Sequence, residues 1–152
     1  MTRKFLSNVL AITGLIMALV ISFGGPLVYG QSITLSIQGL RSSEGYVHVL
    51  VYDNVKAFDE TSHTDFVTYR TKSASAGELS MNLNGIRPGT YALMIHHDEN
   101  GNNKFDSDGQ TPLEGWAYSN NVGQTQTPDF VSASFAFGDT NQQQNININY
   151  AN

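Results

Sequence analysis

Four acidic side chains crowd into one short segment rich in glycine and asparagine, HHDENGNNKFDSDG at 96–109; they are Asp98, Glu99, Asp106 and Asp108. Carboxylates held close together repel one another unless a positive charge lies between them. The segment therefore predicts a cation site, and it does not by itself indicate a reaction.

Side-chain oxygens recur along this segment at the spacing of a calcium loop. Ca²⁺ prefers six to eight oxygen ligands, which alternate residues of a curling loop can aim inward. The predicted ligands are Asp98, Asn100, Asn102 and Asp106, with Lys104 at the position that supplies a backbone carbonyl. Asn103 stands where glycine is usual and Gly109 where a bidentate glutamate is usual. With two sure carboxylates, we expect a dissociation constant of about 10⁻⁴–10⁻³ M.

Two other interpretations of the acidic segment stay open. Asx-turns explain Asn and Asp in a tight connection without any metal. A hydrolase that uses Asp98, Glu99 or Glu114 together with His97 is a weaker alternative, since paired carboxylates must face each other across a cleft. We expect a non-enzymatic protein.

Two adjacent histidines precede the acidic segment. Neighbouring residues of a strand point to opposite faces, so His96 and His97 cannot both bind one ion from regular strand geometry. We expect His97 to be half-buried and to hold the loop backbone, while His96 faces outward with Met94. A transition-metal site with His48 is conceivable, but no third ligand is visible in the sequence.

Two large aromatic residues, Trp116 and Tyr118, follow the acidic segment at alternate positions. Large aromatic side chains are mostly buried, which favours packing at the end of the domain. Exposed, they would form a platform for a glycan or an envelope protein without any metal. This binding module is the alternative function.

The elements that must position these residues have a two-residue period. Val47, Val49 and Val51 alternate with polar or aromatic residues, and Tyr91, Leu93, Ile95 and His97 share a face. The predicted strands are 33–37, 45–53, 66–72, 78–85, 90–97, 131–137 and 145–150, and 55–60 is the one predicted helix. Polar loops are predicted at 124–128 and 141–145. Short strands without helical spacers predict an antiparallel β-sandwich of about seven strands, with a closed barrel as the alternative.

Two turns are predicted between these strands. RSSEG at 41–45 is interpreted as a hairpin turn. Pro88 fixes its own φ and Gly89 can adopt a positive φ, which predicts a type II turn before the strand at 90–97.

The N-terminal segment has the pattern of a signal peptide. Arg3 and Lys4 precede a short apolar run at 9–23, and Val28 and Gly30 suit a cleavage site. We assign 1–30 to a signal peptide and 31–152 to a single domain, and expect a secreted or periplasmic bacterial protein. An uncleaved anchor is the alternative, although the run is shorter than the ~20 residues of a spanning helix. The membrane is a partner only before cleavage.

The charge of the predicted mature segment is acidic. It keeps all thirteen Asp and Glu of the chain but loses two of the eight Lys and Arg, which leaves a formal charge of −7. This excludes nucleic acid as a partner, because phosphate contacts need clustered basic residues. The chain has no cysteine, so no disulfide framework is expected.

Several of these motifs together resemble a known family. GYVHVLVYD at 45–53, PGTYALMIHHDENGNNKFD at 88–106 and PLEGWAYSNN at 112–121 are similar to the bacterial family called domain of unknown function 2141. The similarity spans essentially all of 31–152. It implies an exported, β-rich protein with no assigned activity. The turn at 88–91 also resembles those of prealbumin-like and collagen-adhesin B-type sandwiches, some of which carry a calcium loop. This resemblance implies a prealbumin-like or immunoglobulin-like architecture.

Overall fold

The computed structural model describes residues 30–62, 65–124 and 127–151, and this part of the chain contains ten strands and three short helices. The strands are β1 (Ser32–Leu40), β2 (Tyr46–Tyr52), β3 (Thr68–Ser73), β4 (Gly77–Asn84), β5 (Gly89–Asp98), β6 (Ser107–Asp108), β7 (Thr111–Pro112), β8 (Gly115–Tyr118), β9 (Phe135–Phe137) and β10 (Gln142–Asn147). The α-helices are α1 (Val55–Asp59) and α2 (Phe130–Ala133), and a 3-10 helix spans Ser119–Asn121.

Two main sheets pack face to face. The first has the order β10-β1-β4, and the second has the order β3-β2-β5-β8, with β9 also pairing with β5. The pairs are antiparallel except β1 with β10, which run parallel. A further small hairpin is formed by β6 and β7. The predicted all-β sandwich is confirmed, with this one parallel pair as an addition.

The core lies between the two sheets, where the predicted alternation is confirmed. Val47, Val49 and Val51 of β2 are all fully buried there. The other sheet contributes a matching apolar row, Ile33, Leu35, Ile37, Leu79, Met81, Leu83 and Ile146. Burying such side chains is the main favourable contribution to folding, at about 1.5–3 kcal/mol for each large one.

Part of the outer face of the second sheet is covered by helices. Phe58 of α1 packs against Tyr52 of β2 and against Phe130 of α2. Asn54 caps α1 by accepting a hydrogen bond from the Ala57 N–H at 2.8 Å, which satisfies one of the free donors at a helix start. The predicted helix at 55–60 is confirmed as α1, and the predicted strand at 66–72 is confirmed as β3.

The two predicted turns are wrong in their geometry. Both connections cross from one sheet to the other, because β1 and β4 lie in the first sheet while β2 and β5 lie in the second. Gly89 has no positive φ, whereas Gly85 has φ 76° and makes the turn. Gly45 also has a positive φ of 64°, and a Cβ there would lie 1.9 Å from the Asp98 carbonyl oxygen. The crossing chain thus passes directly against the start of the acidic segment.

Two C-terminal predictions also need correction. The tract 141–145 is not a loop, because β10 begins at Gln142 and pairs through its backbone with β1, which needs no apolar side chains. The strand predicted at 131–137 is a helix in its first half. Asp129 and Ser132 form a reciprocal capping box that starts α2, and only β9 extends the sheet.

The predicted signal peptide 1–30 lies outside the described residues except for Gly30. Across the described ranges, none of the helices combines the length and the apolar character needed to cross a bilayer.

Candidate functional site

Strand register brings three of the predicted chemistry-bearing residues into one row on the outer face of the second sheet. His48 pairs with Thr71 of β3 on one side and with His96 of β5 on the other, and His96 pairs with Trp116 of β8. The adjacent row contains Tyr69, Leu50, Met94 and Tyr118 in the same order. Directly opposed side chains on one face are close neighbours, so the two histidine rings lie 5.5 Å apart.

His48 has both ring nitrogens engaged within the protein. Its Nε2 lies 3.1 Å from Oδ2 of Asp98, and its Nδ1 lies 2.8 Å from Oγ1 of Thr71 and also close to the hydroxyl of Tyr69. An ionised carboxylate only accepts hydrogen bonds, so Nε2 donates to Asp98, and Nδ1 lies within hydrogen-bond distance of both hydroxyls. His48 therefore joins β3, β2 and the acidic loop, and it has no free nitrogen for a metal or a ligand.

Asp98 is fully buried and holds the acidic loop closed. Its carboxylate accepts hydrogen bonds from the backbone N–H groups of Gly101, Asn102 and Asn103, at 2.8, 3.1 and 2.8 Å, in addition to that from His48. Burial alone raises the pKa of Asp98, but these four donors outweigh burial and lower it overall. Asp98 is thus an ionised anchor whose two oxygens both face N–H donors.

Three of the other predicted calcium ligands contact one another through their amide nitrogens. Oδ2 of Asp106 accepts hydrogen bonds from the side-chain amides of Asn100 at 2.6 Å and Asn102 at 2.8 Å. The two amide oxygens instead accept backbone N–H groups, that of Asn102 for Asn100 and that of Lys104 for Asn102. The loop therefore brings together three of the five predicted ligands, while Asp98 points inward to its own donors.

His96 forms a second histidine–carboxylate pair, with Glu114. Its Nε2 lies 2.7 Å from Oε2 of Glu114, which also accepts the backbone N–H of Asp106 at 3.1 Å. Both side chains are buried, and burial lowers the pKa of His96 despite the opposing hydrogen bond to Glu114. Burial thus favours the neutral ring, in which the hydrogen bond to Glu114 places the proton on Nε2 and leaves a lone pair on Nδ1.

A pocket of about 510 Å³ opens above these rows. Its floor consists of the outward side chains of β2 and β5, namely His48, Leu50, Met94 and His96. Phe66 and Tyr69 form one wall, and the segment 103–105 of the acidic loop forms the other. We call this the histidine pocket. Ligand sites in proteins typically have about 300–1,000 Å³ and a mostly apolar lining with a few polar groups, as here.

The hydrolase residues considered from the sequence are not joined as that hypothesis requires. His97 is fully buried and faces the core, where its Nδ1 bonds the Tyr150 hydroxyl at 2.6 Å and its Nε2 the Glu44 carbonyl at 3.0 Å. It therefore holds the 41–45 connection rather than the acidic loop. Glu99 instead pairs with Arg41, which lowers the pKa of Glu99.

Trp116 and Tyr118, the two aromatic residues after the loop, lie in different environments. Tyr118 packs against Phe58 and the helix-covered cluster, as the packing interpretation expects. Trp116 is half-buried and lies along a shallow groove with Pro112, Pro128 and amide side chains. The glycan or protein contact considered for these rings stays a prediction.

Sequence reasoning missed most of the pocket wall. Phe66 and Tyr69 come from one segment and Phe105 from another that is distant in sequence, and only the strand register and the loop path bring the two segments together. The sequence did contain a signal for Phe105. It is the one Phe, Tyr or Trp in an otherwise polar segment, and an apolar side chain placed there indicates a contact outside the segment.

Fold and site together define an all-β sandwich domain with a histidine-floored pocket on one outer face. A family model described as "Uncharacterized protein conserved in bacteria (DUF2141)" matches residues 35–145. The chain belongs to this family, as the sequence resemblance indicated. No match was found among functionally curated proteins.

One solved structure is similar to this chain, a fimbrial assembly protein from Parabacteroides distasonis. The TM-score is 0.37 with 9% sequence identity, over 77% of this chain and 52% of the other. The chain thus spans about half the length of that protein.

Proposed function

We propose that this protein is an exported binding module of the bacterial cell envelope that holds a small amphipathic ligand in the histidine pocket. The observation that supports this proposal is the pocket itself, in which His96 lies among aromatic and aliphatic walls. A solvent-facing concavity with apolar walls and few polar groups is the usual form of a small-molecule site. The hydroxyls of Thr71 and Tyr69 both contact Nδ1 of His48, whose other nitrogen is bound to Asp98, so His48 joins the strands, and we propose binding rather than catalysis.

The two methionines of the described domain allow a direct test. Met94 lies in the pocket floor, whereas Met81 lies in the core between the sheets. In the full chain labelled with ¹³C-methyl methionine, single-ring aromatic fragments at millimolar concentration should shift the Met94 methyl signal and leave that of Met81 unchanged. Unchanged signals for both, or equal shifts of both, would remove the proposal.

A matched pair of tyrosine variants sharpens this test. Tyr69 and Tyr46 have similar exposed fractions, 39% and 45%, and both lie on the outer face of the second sheet. Only Tyr69 lines the pocket. Tyr69→Ala should weaken fragment binding, and Tyr46→Ala should preserve it. The same weakening in both variants would place the binding elsewhere.

We propose Ca²⁺ binding by the acidic loop as a second candidate, which would stabilise the module. It is supported by the convergence of Asn100, Asn102 and Asp106. In the structure the two amide oxygens accept backbone N–H groups. Ca²⁺ binding would need each amide to rotate by 180°, which exchanges its nitrogen and oxygen and gives up those two hydrogen bonds. Three protein ligands are few for Ca²⁺, so water would complete the shell and the affinity would be modest.

Calorimetric titration tests the calcium candidate. Ca²⁺ should bind with a dissociation constant of about 10⁻⁴–10⁻³ M and raise the melting temperature relative to a chelator-treated sample. Asp106→Asn should abolish the heat, and Asp108→Asn, which changes an exposed acid of the same segment, should retain it. Absence of heat at millimolar Ca²⁺, with identical melting in chelator, would exclude the ion.

A further inference from the structure

We propose that the histidine pocket selects an aromatic carboxylate whose ring also carries a hydrogen-bond donor, such as a hydroxybenzoate. This inference rests on the proposed function and specifies the ligand class. It follows from three features of the lining: the arrangement of rings, the lone pair of His96 and the charge of Lys104.

The walls of the pocket favour a flat, apolar body. On one side, the ring centroids of Phe66 and Tyr69 lie 5.9 Å apart. On the other side, the Phe105 ring meets the His96 ring edge-on, with the two centroids 5.1 Å apart. Leu50 and Met94 complete an apolar floor. Aromatic rings pack best edge-to-face or offset against other rings, at centroid distances of about 4.5–7 Å. A single aromatic ring suits the space between such walls.

His96 supplies the hydrogen-bond acceptor. Its Nε2 is held by Glu114, so Nδ1 carries the lone pair. Nδ1 has no hydrogen bond to any described residue, and it is not shielded from solvent. Because the ring of His96 lines the pocket, this nitrogen is available to a donor on a ligand.

His48, the other histidine of the floor, does not compete for the ligand. Its two nitrogens are bound to Asp98 on one side and to Thr71 and Tyr69 on the other. A ligand donor therefore has one histidine acceptor in the floor, which gives the pocket a defined orientation for its ligand. The donor lies at the His96 end of the bound ring.

Lys104 supplies the charge. Lys104 is an exposed residue of the pocket lining and forms no ion pair with the described residues. The acids beneath the floor are Asp98, whose two oxygens both accept hydrogen bonds, and Glu114, whose Oε2 is bound to His96 and to a backbone N–H while its Oε1 is buried without a partner among the described residues. In a chain of net charge −5, a cation at the rim favours an anionic group on the ligand.

A ligand series measures the donor and the charge separately. The four ligands are para-hydroxybenzoate, benzoate, para-methoxybenzoate and para-hydroxybenzamide, titrated against the full chain with the Met94 methyl signal as the readout. We expect para-hydroxybenzoate to bind about 10-fold more tightly than each of the other three, because a hydrogen bond or an ion pair contributes about a factor of 10. Equal affinity across the series would overturn the inference.

Two lysine variants test the charge without touching the floor. Lys104→Gln should reduce the preference for para-hydroxybenzoate over para-hydroxybenzamide to near unity. Lys56→Gln, an equally conservative change on α1 and outside the pocket, should leave the preference intact. A preference that persists in Lys104→Gln would overturn the assignment of Lys104.

Failure of the inference and failure of the proposed function give different results. If all four ligands shift the Met94 signal with similar affinity, the pocket binds aromatic rings without discriminating between their substituents, and only the inference is contradicted. If none of the four, and no other aromatic fragment, shifts that signal, both fall. The variant His96→Leu provides a supplementary check. In it, the preference for para-hydroxybenzoate over benzoate should vanish, while benzoate should still bind. If that variant does not fold, the ligand series is the deciding measurement.

Discussion

The outer face of the second sheet has two halves that are covered in different ways. One half, around Tyr52 and Ala92, lies under α1 and α2 and is closed by apolar contacts such as the edge-on packing of Phe58 against Tyr52. The other half, around His48 and His96, lies under the acidic loop and is held by hydrogen bonds to buried carboxylates.

The comparison shows how the same two strands can serve two purposes. Apolar covering is dense and excludes a ligand, since protein interiors are packed as tightly as organic crystals. Covering by a loop that is anchored at a few polar points can leave space between the anchors. The histidine pocket lies where the helices end and the loop begins, with Leu50 and Met94 at the boundary.

The largest effect is expected from breaking the helix-covered half. Phe58→Ala removes a ring that is 5% exposed and contacts Tyr52, Tyr118 and Phe130. The free energy of unfolding should fall by about 3–5 kcal/mol, measured by urea denaturation. Val131→Ala on α2, where the side chain is 76% exposed, is the control and should change it by less than about 0.5 kcal/mol. A loss below about 1 kcal/mol for Phe58→Ala would contradict dense packing here.

A smaller effect is expected from loosening the loop-covered half. Asp98→Asn replaces one acceptor oxygen by an amide donor, so two of the donors that face Asp98 lose their partner. The free energy of unfolding should fall by about 3 kcal/mol, since hydrogen bonds to a charged group contribute about 1.5–3 kcal/mol each.

Proteolysis and a control variant locate this effect. Asp98→Asn should expose 99–106 to cleavage, whereas Asp108→Asn, an exposed acid in the same segment, should behave like the wild type. Equal stability of the two variants would mean that Asp98 does not anchor the loop. The stabilisation by Asp98 should also disappear as the pH falls through its lowered folded-state pKa, below the ordinary value of 3.8.

The smallest effect is a pH dependence that only the loop-covered half should show. Burial lowers the pKa of His96 below its ordinary 6.5, so the unfolded chain binds a proton before the folded chain does. Stability should therefore fall as the pH drops from 6.5 to the folded-state pKa of His96 and be unaffected by this group above 6.5. The groups that face His96 are Glu114, His48 and Asp98.

Comparison of slopes isolates this contribution. In His96→Asn, the free energy of unfolding should depend less steeply on pH in that window, whatever the absolute stability of the variant. Parallel slopes in wild type and variant, measured by denaturation at several pH values, would show that His96 titrates alike in the two states.

Much of the fold was predictable because strand patterns are local. The alternation in β1, β2, β4 and β5 correctly predicted which side chains enter the core. The errors came from non-local features. The chain crosses between sheets at 41–45, and the glutamine-rich β10 is a strand only because β1 offers it a parallel edge.

The candidate site was predicted in part. The acidic segment forms part of the pocket wall, and the amides of Asn100 and Asn102 both contact Asp106. Ca²⁺ binding there stays a prediction that the titration tests. Asp98 could not be assigned to its partner from the sequence, because His48 lies fifty positions away and reaches it only through the pairing of β2 with β5.

The sequence by itself determined the β-rich class, the faces of the main strands and the presence of a polar loop after β5. These follow from the two-residue side-chain period and from turn-forming residues, which act over a few positions. Only the tertiary structure decided that two carboxylates pair with two histidines and that Phe66 and Tyr69 enclose a pocket together with the distant Phe105. Sheet register and the crossing connections set those distances, and neither is encoded in any short stretch of the chain.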